Sequence, residues 1–513
     1  MITQLSKRRS REAGNVIVVT LGAVVILATI AATTLSAISS RYPTAYRTAA
    51  WEEALLSAES GIHMTIAQIA GLLPDIQLNN AGAVLAAPTP SPSLVTGLKW
   101  EAGGLNLNSV ASISLTSDPL VHGGEGATTS TSTVSIDVLT LDTALNGQLL
   151  SGVVGLLDTS RAASVTLLRL RSKGVVELPS TSRVPDSSKL DARMIRAAFA
   201  RNPATGQTVS RPFVSREIEV LLKPVFPFER GVATEDLIAA PSSPTVFDSF
   251  NSGSPTTSTN LLYDSSKRRE KIEVASNSAQ VTLGGVVHGD VFTNGSNLPK
   301  DSHVTGRVNN DYFRPLPAIK APTWAASTST VNGPLETSIV AGSLLSPSRN
   351  KYTDVTSTGI LRVKASLLGG LLSLLDPVNK QADIWVTGNF LGKLIVDPGV
   401  KVRLFVAGNV NFGSGALDNK TQRAANVQIF GLPSTTGTAQ TMTIDTSSNP
   451  ITAIYAPTHA LTLNGNGGFS GAISSANLRM TGNSGVHFDE ALTLETGLLL
   501  GYGVVSWKEI TQL

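Results

Sequence analysis

NVIVVTLGAVVILATIAATTLSAISS, residues 15–40, is the stretch on which the reading of the chain turns. No charged residue occurs from Ala13 to Ser40. As a helix that run measures ~42 Å at about 1.5 Å per residue, more than the ~30 Å hydrocarbon core of a bilayer. Lys7, Arg8, Arg9 and Arg11 stand before it, and basic flanks stay on the cytoplasmic side. The expectation is one N-terminal helix in the inner membrane, its N-terminus cytoplasmic and the bulk of the chain periplasmic or extracellular. A cleaved secretory signal (Ala31-Ala32 or Ser36-Ala37-Ile38 as the cut), a plain anchor and a prepilin-type segment all use such residues.

The residues beyond Pro43 favour the third. In TAYRTAAWEEALLSAESGIHMTIAQIAGLL (44–73), Tyr46, Ala49, Ala50, Ala54, Leu55, Ala58, Ile62, Ile66 and Ile69 recur mostly at spacings of three and four. Arg47, Glu52, Glu53 and Glu59 fall largely elsewhere on the wheel, the pattern of an amphipathic helix. Pro43 itself, which removes one backbone donor, is a place for a kink. The helix is thus apolar all round first and one-sided afterwards. Its packing face is expected to run through Ala50, Ala54, Leu55, Ala58, Glu59, Ile62 and Ile66.

A basic leader, Gly14, an apolar run and an Ala-rich segment ending in Ala58-Glu59-Ser60-Gly61 resemble the N-terminal region of PilX-like pilus assembly proteins, minor pilins of the type IV class. The resemblance implies cleavage by prepilin peptidase between Gly14 and Asn15. It also implies an assembly helix carrying Val16, Val19, Leu21, Val24, Ile26, Leu27 and Ile30, with other pilin or pseudopilin subunits as partners. Two positions depart from the pattern. Asn15 replaces the usual Phe or Met, and Val19 stands where major pilins carry a Glu that pairs with a neighbouring subunit's N-terminus. An unpaired carboxylate in an apolar bundle is costly, so its absence suits a subunit with no such partner to neutralise.

With 513 residues the chain has room for two to four domains. There are no cysteines, which excludes disulfides, thiolate metal sites and a Cys nucleophile. Lys7, Arg8, Arg9 and Arg11 less Glu12 account for the whole formal net charge of +3. The remaining charges are balanced and dispersed, and nothing in them calls for nucleic acid.

Residues 1–14 read as the leader, 15–75 as the helix and 76–97 as a linker around Ala87-Pro88-Thr89-Pro90-Ser91-Pro92-Ser93. Residues 98–240 read as a β-rich pilin-like domain. Val134, Ile136 and Val138, and Ile218, Val220 and Leu222, alternate as strands with one buried face do. A helix is expected at 188–202, stopped by Asn202-Pro203. SREIEVLLKPVFPFERGVATEDLI (215–238) and Val246–Ser252 also resemble the PilX-like family. Residues 241–275, ending in Lys267-Arg268-Arg269-Glu270-Lys271, read as a second linker.

From 276 to 513 short apolar runs are punctuated by Gly and Asn. LTLNGNGGF (461–469) and LRMTGNSGV (478–486) superpose at a distance of seventeen residues: Leu461 on Leu478, Gly465 on Gly482, Asn466 on Asn483, Gly468 on Gly485. A repeat of that length suits one coil of a parallel β-helix; a β-sandwich with Asn-Gly hairpins is the alternative. The expected fold class is α+β: a long N-terminal transmembrane and amphipathic helix, a pilin-like β domain and a C-terminal parallel β-helix.

Catalysis is not expected. Asp383, Asp397, Asp418, Asp489 and Glu490 do not recur at a coil period, and the six histidines, His63, His122, His288, His303, His459 and His487, include no i, i+4 pair. No HExxH, G-x-S-x-G, P-loop or GxGxxG is present, and no cofactor or metal set is expected. The chain reads as a minor pilin-like structural component of a type IV pilus or pseudopilus that, once assembled, displays a structural or adhesive β-solenoid head at the pilus or cell surface, its surface ligand unknown. A membrane-anchored carbohydrate-binding or carbohydrate-active β-helix protein is the second reading.

Overall fold

The computed structural model describes residues 3–74, 98–101, 104–107, 112–116, 120–122, 128–139, 167–177 and 213–510, with 243, 296–297, 299–302, 325–328, 344–346, 366–379, 435–436 and 495–497 excepted. Helix α1 spans Thr3–Pro74 and passes through Pro43 unbroken. Its side chains are described over 21–37 and 48–70, residue 68 excepted. Thr29, Thr33 and Thr34 return their hydroxyls to the carbonyls of Val25, Thr29 and Ile30 at 2.8, 3.0 and 2.7 Å. Those polar groups are therefore satisfied inside the helix, and the surface left over is apolar.

The second half of α1 lies on an antiparallel sheet ordered Ser112–Thr116, Thr128–Leu139, Leu167–Glu177, Phe213–Val225, Gly501–Ile510, with Leu120–His122 paired to Thr128–Leu139 off that path. Alternation explains the face: Ser130, Ser132, Val134 and Ile136, then Leu168, Leu170, Ser172 and Val176, then Ile218, Val220 and Leu222, are buried. The opposite face is polar, and Arg169 pairs with Asp137 at 2.7 Å and Arg171 with Glu219 at 2.8 Å. The last strand in sequence, Gly501–Ile510, pairs antiparallel with the strand that leads into the head, Phe213–Val225. The region 226–500 is thus held between two neighbouring strands.

That head contains one eighteen-stranded sheet, parallel except where Gly342–Ser343 meets Lys380–Val386, and a parallel four-stranded sheet of Glu336–Val340, Ile360–Lys364, Lys393–Val396 and Leu417–Asn419. Successive passes stack in register, for example Ala382↔Val402↔Val427, then Ile429↔Ile454↔Ile473. Strand Val400–Val406 is buried at every position. One of its faces joins the common core; on the other, Phe405 lies against Trp324, ring centroids 6.1 Å apart.

Several expectations are corrected. The class is not α+β with a membrane-spanning helix, since strands outweigh helix among the described residues and no helix of those residues is long and apolar enough to cross a membrane. Inner-membrane anchoring by this helix, with the orientation drawn from it, falls with the span. The C-terminal half is not a separate β-helix over 276–513, because the large sheet begins at Val232 and residues 501–510 leave the head for the antiparallel sheet. The stretch 241–275, read as a linker, carries strands Val246–Phe250 and Ile272–Ser276 of the large sheet. The helix expected at 188–202 lies outside the described residues, as do the Pro-rich residues 87–93.

Candidate functional site

The helix carries two surfaces. Ala50, Ala54, Ala58, Ile62 and Ile69 are buried, with Leu55 and Ile66 packed at the margin. Glu59 is half-buried. Small residues let the backbones approach closely. A Cβ on Gly174 would lie 1.9 Å from the Ala54 carbonyl oxygen, and one on Gly61 would lie 2.7 Å from Ser172 Oγ. Thr65, also buried, bonds the Gly61 carbonyl at 2.8 Å. On the flank of this contact His63 lies 5.7 Å from the Trp507 ring, and the Arg216 guanidinium sits 4.8 Å over Trp51.

Nearer the N-terminus the surface reverses. Leu21, Val24, Ile26, Leu27 and Ile30 are all more than half exposed, Leu21 at 67%. Over residues 21–37 every described side chain is exposed, so none of the described residues covers them. An apolar helical stripe in water is unfavourable by about 25 cal/mol per Å² and marks a surface made to be covered. Gly14, Asn15, Val16 and Val19 belong to α1 but lie outside the residues whose side chains are described.

The Gly/Asn turns of the head form a ladder. Gly465 and Gly482 take φ of +112° and +92°, which only glycine adopts without strain. Asn466 Oδ1 accepts from the Asn483 backbone N–H at 3.1 Å, and Ser242 Oγ donates to Asn483 Oδ1 at 2.6 Å. Gly468 sits in register with Gly485, and a Cβ on Gly468 would meet His487 Nε2 at 2.7 Å. The ladder satisfies backbone groups at the corners. Its described side chains offer no carboxylate set for a cation, and no metal-holding cluster occurs among the described residues.

Two polar groupings were not foreseen from sequence. Asp248, fully buried, accepts from Tyr263 Oη at 2.6 Å and bonds His487 Nδ1 at 2.7 Å, while the Tyr263 and His487 rings stack 3.5 Å apart. Burial, with the hydrogen bond to Asp248, raises the Tyr263 phenol above its ordinary range. Close by, an open cavity of ≈ 390 Å³ is lined by Glu229, Glu273, Asp290 and Glu490. Each of these already has an arginine: Arg314, Arg230, Arg307 and Arg269, at 3.0, 2.9, 2.7 and 2.8 Å; a fifth lining carboxylate, Glu270, lies instead 3.7 Å from His288 Nδ1. Burial pushes Glu490 up. It also works to raise Asp290, but the bonds from Arg307 outweigh it and hold that carboxyl below the usual range. Carboxylates so neutralised are structural ion pairs rather than free acids and bases.

A third feature had a legible signal. Trp385, Phe405, Phe430 and Tyr455 occupy one row, each in register with the next. Phe405 and Phe430 stack 5.0 Å apart. In sequence each comes directly after an aliphatic residue, in Ile384-Trp385, Leu404-Phe405, Ile429-Phe430 and Ile454-Tyr455. The intervals between these pairs, 20, 25 and 25 residues, break the period once and differ from the seventeen-residue spacing of the Gly/Asn turns.

A family described as a domain of unknown function (DUF7305) matches residues 376–495, which hold the passes from Lys380 to Asp489. The match spans less than half of the chain. No curated protein matches the sequence. Among solved structures, the competence-associated pilin ComZ from Thermus thermophilus is similar at 11% identity and a TM-score of 0.25, covering 90% of this chain and 97% of its own. A likeness that loose does not show a shared fold.

Proposed function

We propose that this chain is a minor pilin-like structural component of a pilus or pseudopilus-type assembly, carrying its β-rich head outward on the assembled fibre. The observation that supports it most is the division of α1. Residues 50–69 are clamped on the antiparallel sheet, whereas 21–37 project uncovered and apolar. Helices of neighbouring subunits are the covering that such a stripe fits, because apolar side chains interlock between helices without needing polar partners. The N-terminal resemblance to PilX-like proteins points the same way, and with it cleavage by prepilin peptidase between Gly14 and Asn15. The role is non-catalytic, in keeping with the ion-paired carboxylates of the head.

Leu27→Lys tests this. A lysine in the covered stripe would be buried among apolar helices without a counter-charge. The variant is expected to fold normally, since Leu27 is exposed in its own domain, and to disappear from sheared filaments. Incorporation at the wild-type level would overturn the reading. In parallel, Gly14→Ala should leave an uncut N-terminus.

A further inference from the structure

The head is two half-stacks that meet in the middle. The chain arrives at Val232–Thr234, and its next passes build away in one direction: Val274 pairs Val232, Ile272 pairs Gly289, Val291 pairs Val308. It then crosses to the far end and returns pass by pass from Ser348–Tyr352 to Gly468–Thr481. The last pass closes on the first, with Ile473 against Val232, Leu478 against Ile238 and Val486 against Phe247. Leu237 N–H donates to Asn477 Oδ1 across this junction at 3.0 Å, spanning 240 residues of sequence. Within each half-stack neighbouring passes are joined by a short covalent connection. At the junction the neighbours are far apart along the chain, and only non-covalent contacts hold them.

The crossing segment, 310–324, lies over that junction as a strap. The Arg314 backbone N–H donates to Asn277 Oδ1 at 2.7 Å and its carbonyl accepts from Asn277 Nδ2 at 2.9 Å, on the first half-stack, and Leu316 N–H donates to Glu235 on the first pass. Beyond the junction Tyr455 Oη donates to the Pro317 carbonyl at 2.7 Å, and the Trp324 ring meets Phe405 and Trp385 edge-on. Past its bridge from Asp311 to Asn294, Pro315, Pro317 and Pro322 lack N–H groups and hold the segment extended, so that part stays off the sheet and loses little freedom when it docks.

We propose that the junction between 232–250 and 468–489 is a seam that opens as a unit, and that the 310–324 strap is its latch. Sub-global opening proceeds by cooperative units of structure, and the seam divides two of them. Tyr455→Phe removes one latch bond, and Asn277→Ala removes a second set, the two bonds to the Arg314 backbone, at an independent point. Hydrogen exchange on the full chain reads the result. In both variants the amides of 232–240 and 473–478 should exchange roughly tenfold faster, the factor of one lost hydrogen bond, with 400–431 unchanged. Equal acceleration in 400–431, or no change at the seam in either variant, would overturn the proposal.

Discussion

At the residue scale, the approach of helix to sheet sets a sharp limit. Gly174 admits the Ala54 carbonyl where any side chain would collide with it. Gly174→Ala must push the helix off the sheet and should cost about 1–3 kcal/mol, the usual penalty of overpacking, read as a lower denaturant midpoint. His459 makes a pH-dependent prediction. It is fully buried, with Nε2 3.0 Å from the Gly408 carbonyl, and burial holds its pKa below the ordinary 6.5. The unfolded chain therefore takes up a proton that the folded chain resists. The stability this group contributes is present above 6.5 and lost as pH falls towards the folded value. A steeper loss of stability below that pH in the native protein than in His459→Gln is expected; identical profiles would show that His459 carries no such linkage.

At the element scale, local pattern was a good guide and distant pairing was not. Period-four alanines and isoleucines announced the helix face, and alternation at Val134–Ile136 and Ile218–Leu222 announced strands, because each signal lives within a few neighbours. The sequence could not say that Gly501–Ile510 would return to Phe213–Val225, since nothing in either strand names its partner. The linker reading of 241–275 failed for a related reason. Its Pro, Ser and Thr are spread over 241–245 and the loop between Phe250 and Ile272, while Val246–Phe250 between them is a full member of the large sheet. Removing residues 501–510 should therefore harm the sheet under the helix rather than the head. Faster exchange is expected in 213–225 and 167–177, with passes 400–464 still protected. Loss of protection in the head alone would show that the closing strand serves another element.

At the scale of the whole molecule, the helix length was legible but its setting was not. Charge-free sequence from Ala13 to Ser40 suggested lipid, whereas no helix of the described residues is long and apolar enough to cross a membrane. The candidate site was readable in part: Ala50, Ala54, Ala58 and Ile62 lie in the contact as their spacing suggested, while the aromatic row and the Asp248–His487 pair depend on strands brought together from far apart. What unifies the molecule is a division along one helix, with 50–69 packed on its own sheet and 21–37 apolar and exposed. A photo-crosslinking amino acid at position 27 puts that division to the test. Adducts with the helices of other pilin-like subunits in sheared filaments are expected. Adducts with lipid alone, from a chain absent from any filament, would contradict it.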